Sequence, residues 1–344
     1  MTVMLHYFRW AFIVTGVGFA LSFWLGWYYT GTVWGALGFL FVGVVLAVLE
    51  ISLSFDNAIV NANKLKEMTP LWQQRFLTWG IIIAVFGMRI VFPLLIVVVA
   101  AHIGPFAAIR LAAMDPDEYA RIIDGAHVSI AAFGGSFLMM VALSYFVDEG
   151  KDVHWIAALE RQMSKYASIR GIEVAVVLTI VMVFASILPG EELDTFLFSA
   201  MAGLLTFLAV EVVGHLLDAS EETAGIAAKG GVGAFLYLEV LDASFSFDGV
   251  IGAFALTKNL FLIAIGLGIG AMYVRSMTIM LVERETLARF RYLEHGAFWS
   301  ILILACVMFA QTLVHVPEVI TGLLGAGFIG VSLWSSVKWN RLES

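Results

Sequence analysis

Long apolar runs separated by short polar breaks dominate this chain, and the runs have the length of membrane-crossing helices. A helix needs about 20 predominantly apolar residues to cross the hydrocarbon core. On that criterion the pattern predicts spans near 8–28, 33–60, 76–101, 126–147, 171–189, 195–217, 231–257, 260–282, 295–313 and 317–336. The fold class expected is therefore all-α, a polytopic transmembrane helix bundle of about ten spans and at least eight. Between the fourth and fifth runs, residues 148–170 mix charges with Trp155, Ile156, Leu159 and Met163. That mixture reads as an amphipathic helix lying at the membrane interface. No small-residue cleavage site follows the first apolar stretch, so this stretch is expected to be kept as a helix.

The basic residues fall on alternate connections. Arg9, Lys64, Lys66, Arg75, Lys151, Arg161, Lys165, Arg170, Lys229, Arg284, Arg289, Arg291, Lys338 and Arg341 share one side of the predicted topology. Only Arg110, Arg121 and Lys258 lie on the other, while Arg89 and Arg275 fall inside spans. Positive charge marks the cytoplasmic side, so both termini are expected there, in the cell's inner (plasma) membrane.

Two of the apolar spans carry the same acidic pattern. Residues 49–60 read LEISLSFDNAIV and residues 241–252 read LDASFSFDGVIG. Glu50 thus aligns with Asp242, Ser52 with Ser244, Ser54 with Ser246 and Asp56 with Asp248. A charge at the bilayer centre costs roughly 2.5–3.5 kcal/mol even on the lenient insertion scale, so repeated intramembrane acids mark a functional site. The copies lie on the second and seventh spans and run in opposite directions, as inverted-topology halves do. One integral membrane domain is expected. It holds a first repeat over 33–147, the connection 148–170, intervening helices over 171–217, a second, inverted repeat over 231–313, and a last span with its tail over 317–344. Both motif helices are expected to break, at Asn57 and at Gly249, because only unwinding would let all the acids converge.

Composition narrows the partners. The chain has 344 residues, 61% hydrophobic and 13% charged, with a mean hydropathy of +0.94; such a chain is at home in a lipid bilayer. Its net charge of -8 speaks against nucleic acid. A single cysteine, Cys306, excludes a disulfide framework and a thiolate metal cage.

The candidate ligands are Glu50, Asp56, Asn57, Glu239, Asp242 and Asp248, supported by Ser54, Ser246, Arg89 and Arg275. An all-oxygen set of this kind suits hard divalent ions such as Mn²⁺, Mg²⁺ or Ca²⁺, whereas Cu⁺ and Zn²⁺ favour Cys and His. The plainer alternative is that the acids only pair with Arg89 and Arg275 to lock helices, but carboxylates outnumber these arginines. Arg89 is expected to neutralise one carboxylate, and Arg275 to snorkel toward the interface. Glu211 and His215, four residues apart, form either a proton relay or a polar pair at a helix end. His127 and His295 begin spans and are expected at the interface, and the Gly134–Gly135 and Gly266, Gly268, Gly270 series suit close helix packing.

These motifs resemble the TerC family of integral membrane proteins, placed near the LysE-type exporters. The resemblance rests on LEISLSFDNAIV, on LEVLDASFSFDGVIGAFALT over 238–257, on WGIIIAVFGMRIVF with Arg89, and on the run from Gly266 to Arg275 leading to FRYLEHGAF. Where that family typically has a Ser after the last Asp, this chain has Gly249. The resemblance implies export of metal ions, chiefly manganese.

The function expected is secondary transport of a divalent metal ion, with Mn²⁺ as substrate rather than cofactor. Proton coupling would run through Glu50 and Glu239. No covalently bound cofactor and no enzymatic activity are expected, since no HExxH or GxSxG motif occurs. The competing readings are a non-transporting scaffold or metal-loading partner, and an intramembrane metal-dependent enzyme. Oligomeric state is left open.

Overall fold

A computed structural model describes residues 2–80, 82–148, 151, 153–166, 168–223, 231–314 and 316–343. Among the described residues every regular element is a helix, joined by short turns and loops. In order they are α1 (Thr2–Thr30), α2 (Val33–Leu53), α3 (Phe55–Glu67), α4 (Pro70–Arg75), two π-helical stretches (Phe76–Gly80 and Ile83–Val91), α5 (Phe92–Ala100), α6 (Pro105–Met114), α7 (Pro116–Gly125) and α8 (His127–Phe146). There follow α9 (Ala157–Lys165), α10 (Ile172–Ala185), α11 (Gly190–Thr223), α12 (Val232–Leu256), α13 (Leu260–Glu283), α14 (Thr286–Arg289), α15 (Leu293–Gln311) and α16 (Glu318–Glu343).

Seven of these helices are long and apolar enough to cross a membrane, and an eighth span arises if α5 and α6, bent by 106°, count as one. The protein is a multi-pass membrane protein, with seven or eight such spans against the expected eight to ten. Two predicted spans fall outside that count for physical reasons. The 14 residues of α10 rise only about 21 Å, and α12 carries Glu239, Asp242 and Asp248 within an otherwise apolar helix.

Burial divides the helices into two classes. In α8, α13 and α15 between 61% and 72% of the most apolar window is buried; in α1, α2, α11 and α16 the share is 22–28%. The first group is the core of the bundle and the second turns large apolar side chains such as Phe41, Trp24, Phe198 and Trp334 outward, where lipid, not water, is the matching solvent. Close helix approach follows the predicted glycines. Gly266 of α13 sits against Leu46 of α2, and Gly135 of α8 against Met308 and Phe309 of α15.

The motif helices depart from the predicted breaks. The interruption of the first lies at Ser54, three residues before Asn57, and it is a single residue. The backbone bonds Ser54 N to Glu50 O and Ala58 N to Ser54 O both survive. In the second motif α12 runs without interruption through Gly249. These bonds and the uninterrupted α12 keep backbone groups paired at membrane depth on either side of Ser54, which outweighs the weak helix propensity of Asn and Gly.

The connection near 148–170 carries one short helix, α9, whose side chains are largely exposed except for Glu160. Glu160 of α9 is buried and accepts hydrogen bonds from the amides of Trp155 and Ile156 and from Trp299 Nε1, 2.9 Å away. His295, expected at the interface, is buried with Nδ1 2.9 Å from the same carboxylate. Burial opposes ionisation of Glu160, but the bonds from His295 and Trp299, the His295 charge and the Ile156 amide together prevail and hold its carboxyl down to about 2.

Candidate functional site

Successive residues on a helix point about 100° apart, and this geometry sorts the first motif into two groups. Asn57 and Asn61, one turn apart on α3, face α12. Asn61 Nδ2 hydrogen-bonds Asp242 Oδ1 at 2.9 Å, and Asn57 lines the same space as Asp242. Asp56, at the first turn of α3, faces α15, where Ser300 Oγ donates to its Oδ2 at 2.7 Å. Its Oδ1 accepts from the Asn57 amide at 2.8 Å, and a carboxylate in this first turn is further favoured by the helix dipole. All three side chains are buried together with Glu50, Glu239 and Asp242.

Two small polar cavities result. The first, about 40 Å³, is lined by Asn57, Asn61, Gly80, Arg89, Asp242, Arg275 and Thr278 among others. The second, about 30 Å³, is lined by Glu50, Ser54, Asp56, Gly249, Ser300 and Thr321 among others. Either volume holds a water or an ion stripped of most of its hydration. One face of α12 serves both: Asp242 lines the first, Phe245 and Gly249 the second. Seven residues separate Asp242 from Gly249, a rise of about 10 Å along the helix.

Between the cavities stands an ion pair. Arg89 Nη2 bonds Glu50 Oε1, both residues being nearly inaccessible, and Ser54 Oγ donates to the same oxygen at 3.1 Å. Arg89 lies in the second π-helical stretch, and such wide turns recur at functional sites. Gly270 leaves the space that Glu50 fills, since a Cβ there would overlap Glu50 Cβ and Cγ. A Cβ on Gly249 would stand 2.9 Å from Glu50 Oε2, so this glycine admits the carboxylate that a serine would crowd.

The remaining candidates are distributed unevenly. Glu239, one turn before Asp242, is buried with no hydrogen-bond partner for either carboxylate oxygen. A Cβ on Gly80, which lines the first cavity, would come within 2.7 Å of Glu239 Oε1. Ser246 is buried but lines neither cavity. Arg275 does not snorkel: its Nε donates to Leu77 O at 2.9 Å, satisfying a carbonyl of the first π-helical stretch. Glu211 is exposed on α11, away from both cavities. The side chains of Asp248 and His215 lie outside the described residues.

The sequence-predicted ligands thus divide between two cavities rather than converging on one, and Glu50, engaged by Arg89, is not the uncompensated acid expected of a proton-exchanging group. Among the described residues no group of three or more His, Cys, Asp or Glu side chains is disposed to hold a metal ion; the first cavity sets the amides of Asn57 and Asn61 beside Asp242. Asn61, Ser300 and Thr321 escaped the sequence reading. Asn61 had a signal, its spacing of four from Asn57; the two hydroxyl residues sit alone in apolar runs and had none.

No curated protein matches the chain, and no solved structure does. A family model does match, over residues 55–343, which include Asp56, Asn57, Asn61, Glu239, Asp242, Ser300 and Thr321 but not Glu50 or Ser54. The chain accordingly belongs to the family described as "Protein of unknown function (DUF475)".

Proposed function

We propose that the protein is a secondary transporter of a hard divalent cation, Mn²⁺ foremost, and that the first cavity is its binding station. One observation carries this reading. At that cavity Asn57 Oδ1 and Asn61 Oδ1 are buried without a hydrogen-bond partner, as are both oxygens of Glu239 beside its lining residue Gly80, and these four are acceptors when the carboxylate is ionised. An unsatisfied buried acceptor costs about 1–3 kcal/mol, and more when charged. A cation relieves all of them at once, and oxygen donors of this kind select hard ions. The charge balance agrees: Glu50, Asp56, Glu239 and Asp242 are buried against one buried arginine, Arg89.

The resemblance to the TerC family supports export as the direction and manganese as the cargo. The asymmetry of Lys and Arg supports an inner membrane location with both termini cytoplasmic. Glu239 is the group for proton coupling, since it can hold either a proton or a share of the cation and no arginine claims it.

The test is Mn²⁺ flux in proteoliposomes under an imposed pH gradient. The parent protein should move Mn²⁺ uphill, while Asn61→Ala and Glu239→Gln should reduce flux at least tenfold with the protein still folded. Flux equal to that of empty vesicles, or parental rates in both variants, would overturn the reading.

A further inference from the structure

The second cavity is not needed to explain the first, and it has its own unfilled valence. Thr321 of α16 lines it with the hydroxyl buried and without a partner. The residue itself is only 6% exposed. Around the same space stand the Asp56 carboxylate, Ser300 of α15, Ser54 and Glu50. The oxygens come from four helix segments, and the α16 backbone is brought in by glycines. Gly322 abuts Leu53, and a Cβ on Gly325 would come within 2.7 Å of Ser300 Oγ. This is a hydroxyl-and-carboxylate lining, the donor chemistry of a hard cation.

Resting on the transport reading above, we infer that this cavity is a second cation station in series with the first, taking the same class of hard divalent ion, with Thr321 and Ser300 as ligands from outside the acidic motifs. The Arg89–Glu50 pair forms the partition. Arg89 faces one station and Glu50 the other, so an ion passing from station to station must displace this pair. Two stations about 10 Å apart along α12 let an ion exchange one set of oxygens for another without crossing bare hydrocarbon.

The experiment is Mn²⁺ binding to the purified, detergent-solubilised full chain, with free ion measured by electron paramagnetic resonance. The parent should bind two equivalents. Thr321→Val keeps the shape and removes the oxygen, and should bind one; Thr321→Ser restores the oxygen and should bind two. Asn61→Ala should lose the other equivalent, leaving a protein in which only the Thr321 station titrates. Thr321→Val binding as many equivalents as the parent overturns the second station and leaves the first intact, as does a parent that binds a single equivalent removed by Asn61→Ala. A parent that binds no Mn²⁺ overturns both. In flux measurements Thr321→Val should fall at least fivefold and Thr321→Ser should recover it, a rescue that a role in packing alone would not produce.

Discussion

Removing Arg89 isolates the energetic role of the partition. In Arg89→Gln the Glu50 carboxylate, 3% exposed, loses its countercharge. Its stem is confined, because Glu50 Cβ and Cγ fill the space left by the absent side chain of Gly270. Breaking one partner of a buried ion pair destabilises by about 3–5 kcal/mol. Ser54 still donates to the stranded carboxylate at 3.1 Å, which puts the expected loss at the low end, about 3 kcal/mol, or roughly a hundredfold in the folding equilibrium. Glu50→Gln/Arg89→Gln should recover most of it, because two neutral amides replace the pair without leaving a buried charge. The assay is unfolding in mixed micelles followed by helical circular dichroism, run as a double-mutant cycle. An Arg89→Gln variant within 1 kcal/mol of the parent on this assay, or a double variant showing only the sum of its single effects, would refute the claim that the pair is a buried, coupled element.

Two further outcomes follow from the packing. Gly270→Ala places a methyl into Glu50 and should cost about 1–3 kcal/mol by overpacking, read as a lowered melting temperature; Gly327→Ala, inside α16 with open space at its Cβ, is the control that should melt at or above the parent temperature, since Ala is the better helix former. Glu160 has a folded-state carboxyl held down to about 2, below the unfolded value near 4.3. Its stabilising contribution is therefore present above the unfolded value and lost as pH falls through that window toward 2. The parent should lose stability over that range, and Glu160→Gln should lack this increment while being less stable than the parent at pH 7. Identical acid profiles for the two proteins would remove Glu160 as the anchor of α9.

Much of the architecture was legible because the hydrocarbon core imposes one demand on every span, a long run of apolar residues, and such runs can be read locally. The breaks were not, because Asn57 and Gly249 are weak helix formers whose local preference loses to the helix continuing through them and to tertiary neighbours: Asp242 for Asn57, Glu50 for Gly249. Arg89 as a neutralising charge could be expected from its position in mid-span. Its choice of Glu50 over the other acids depends on the π-helical turn and on the gap at Gly270, which are properties of the assembled bundle. The acids announced a site, but the separation into two cavities depends on the 100° step between Asp56 and Asn57 together with the placement of α12 and α15. Ser300 and Thr321 could not be singled out, since lone hydroxyls in apolar helices usually bond their own backbone, as Ser276 and Ser244 do here.

The seat of α16 against the first motif bears on how such a protein is made. Gly322 and Gly325 press the last helix onto Leu53 and Ser300, closing the space beside Asp56 with a segment separated from α3 by most of the chain. During synthesis α2 and α3 enter the membrane long before that cover exists. Their acids must spend the interval in contact with water, lipid headgroups or the insertion machinery, and the polar interior is sealed only when α16 docks. A chain stalled before α16 therefore lacks Thr321, Gly322 and Gly325, the residues of that helix which line the space beside Asp56.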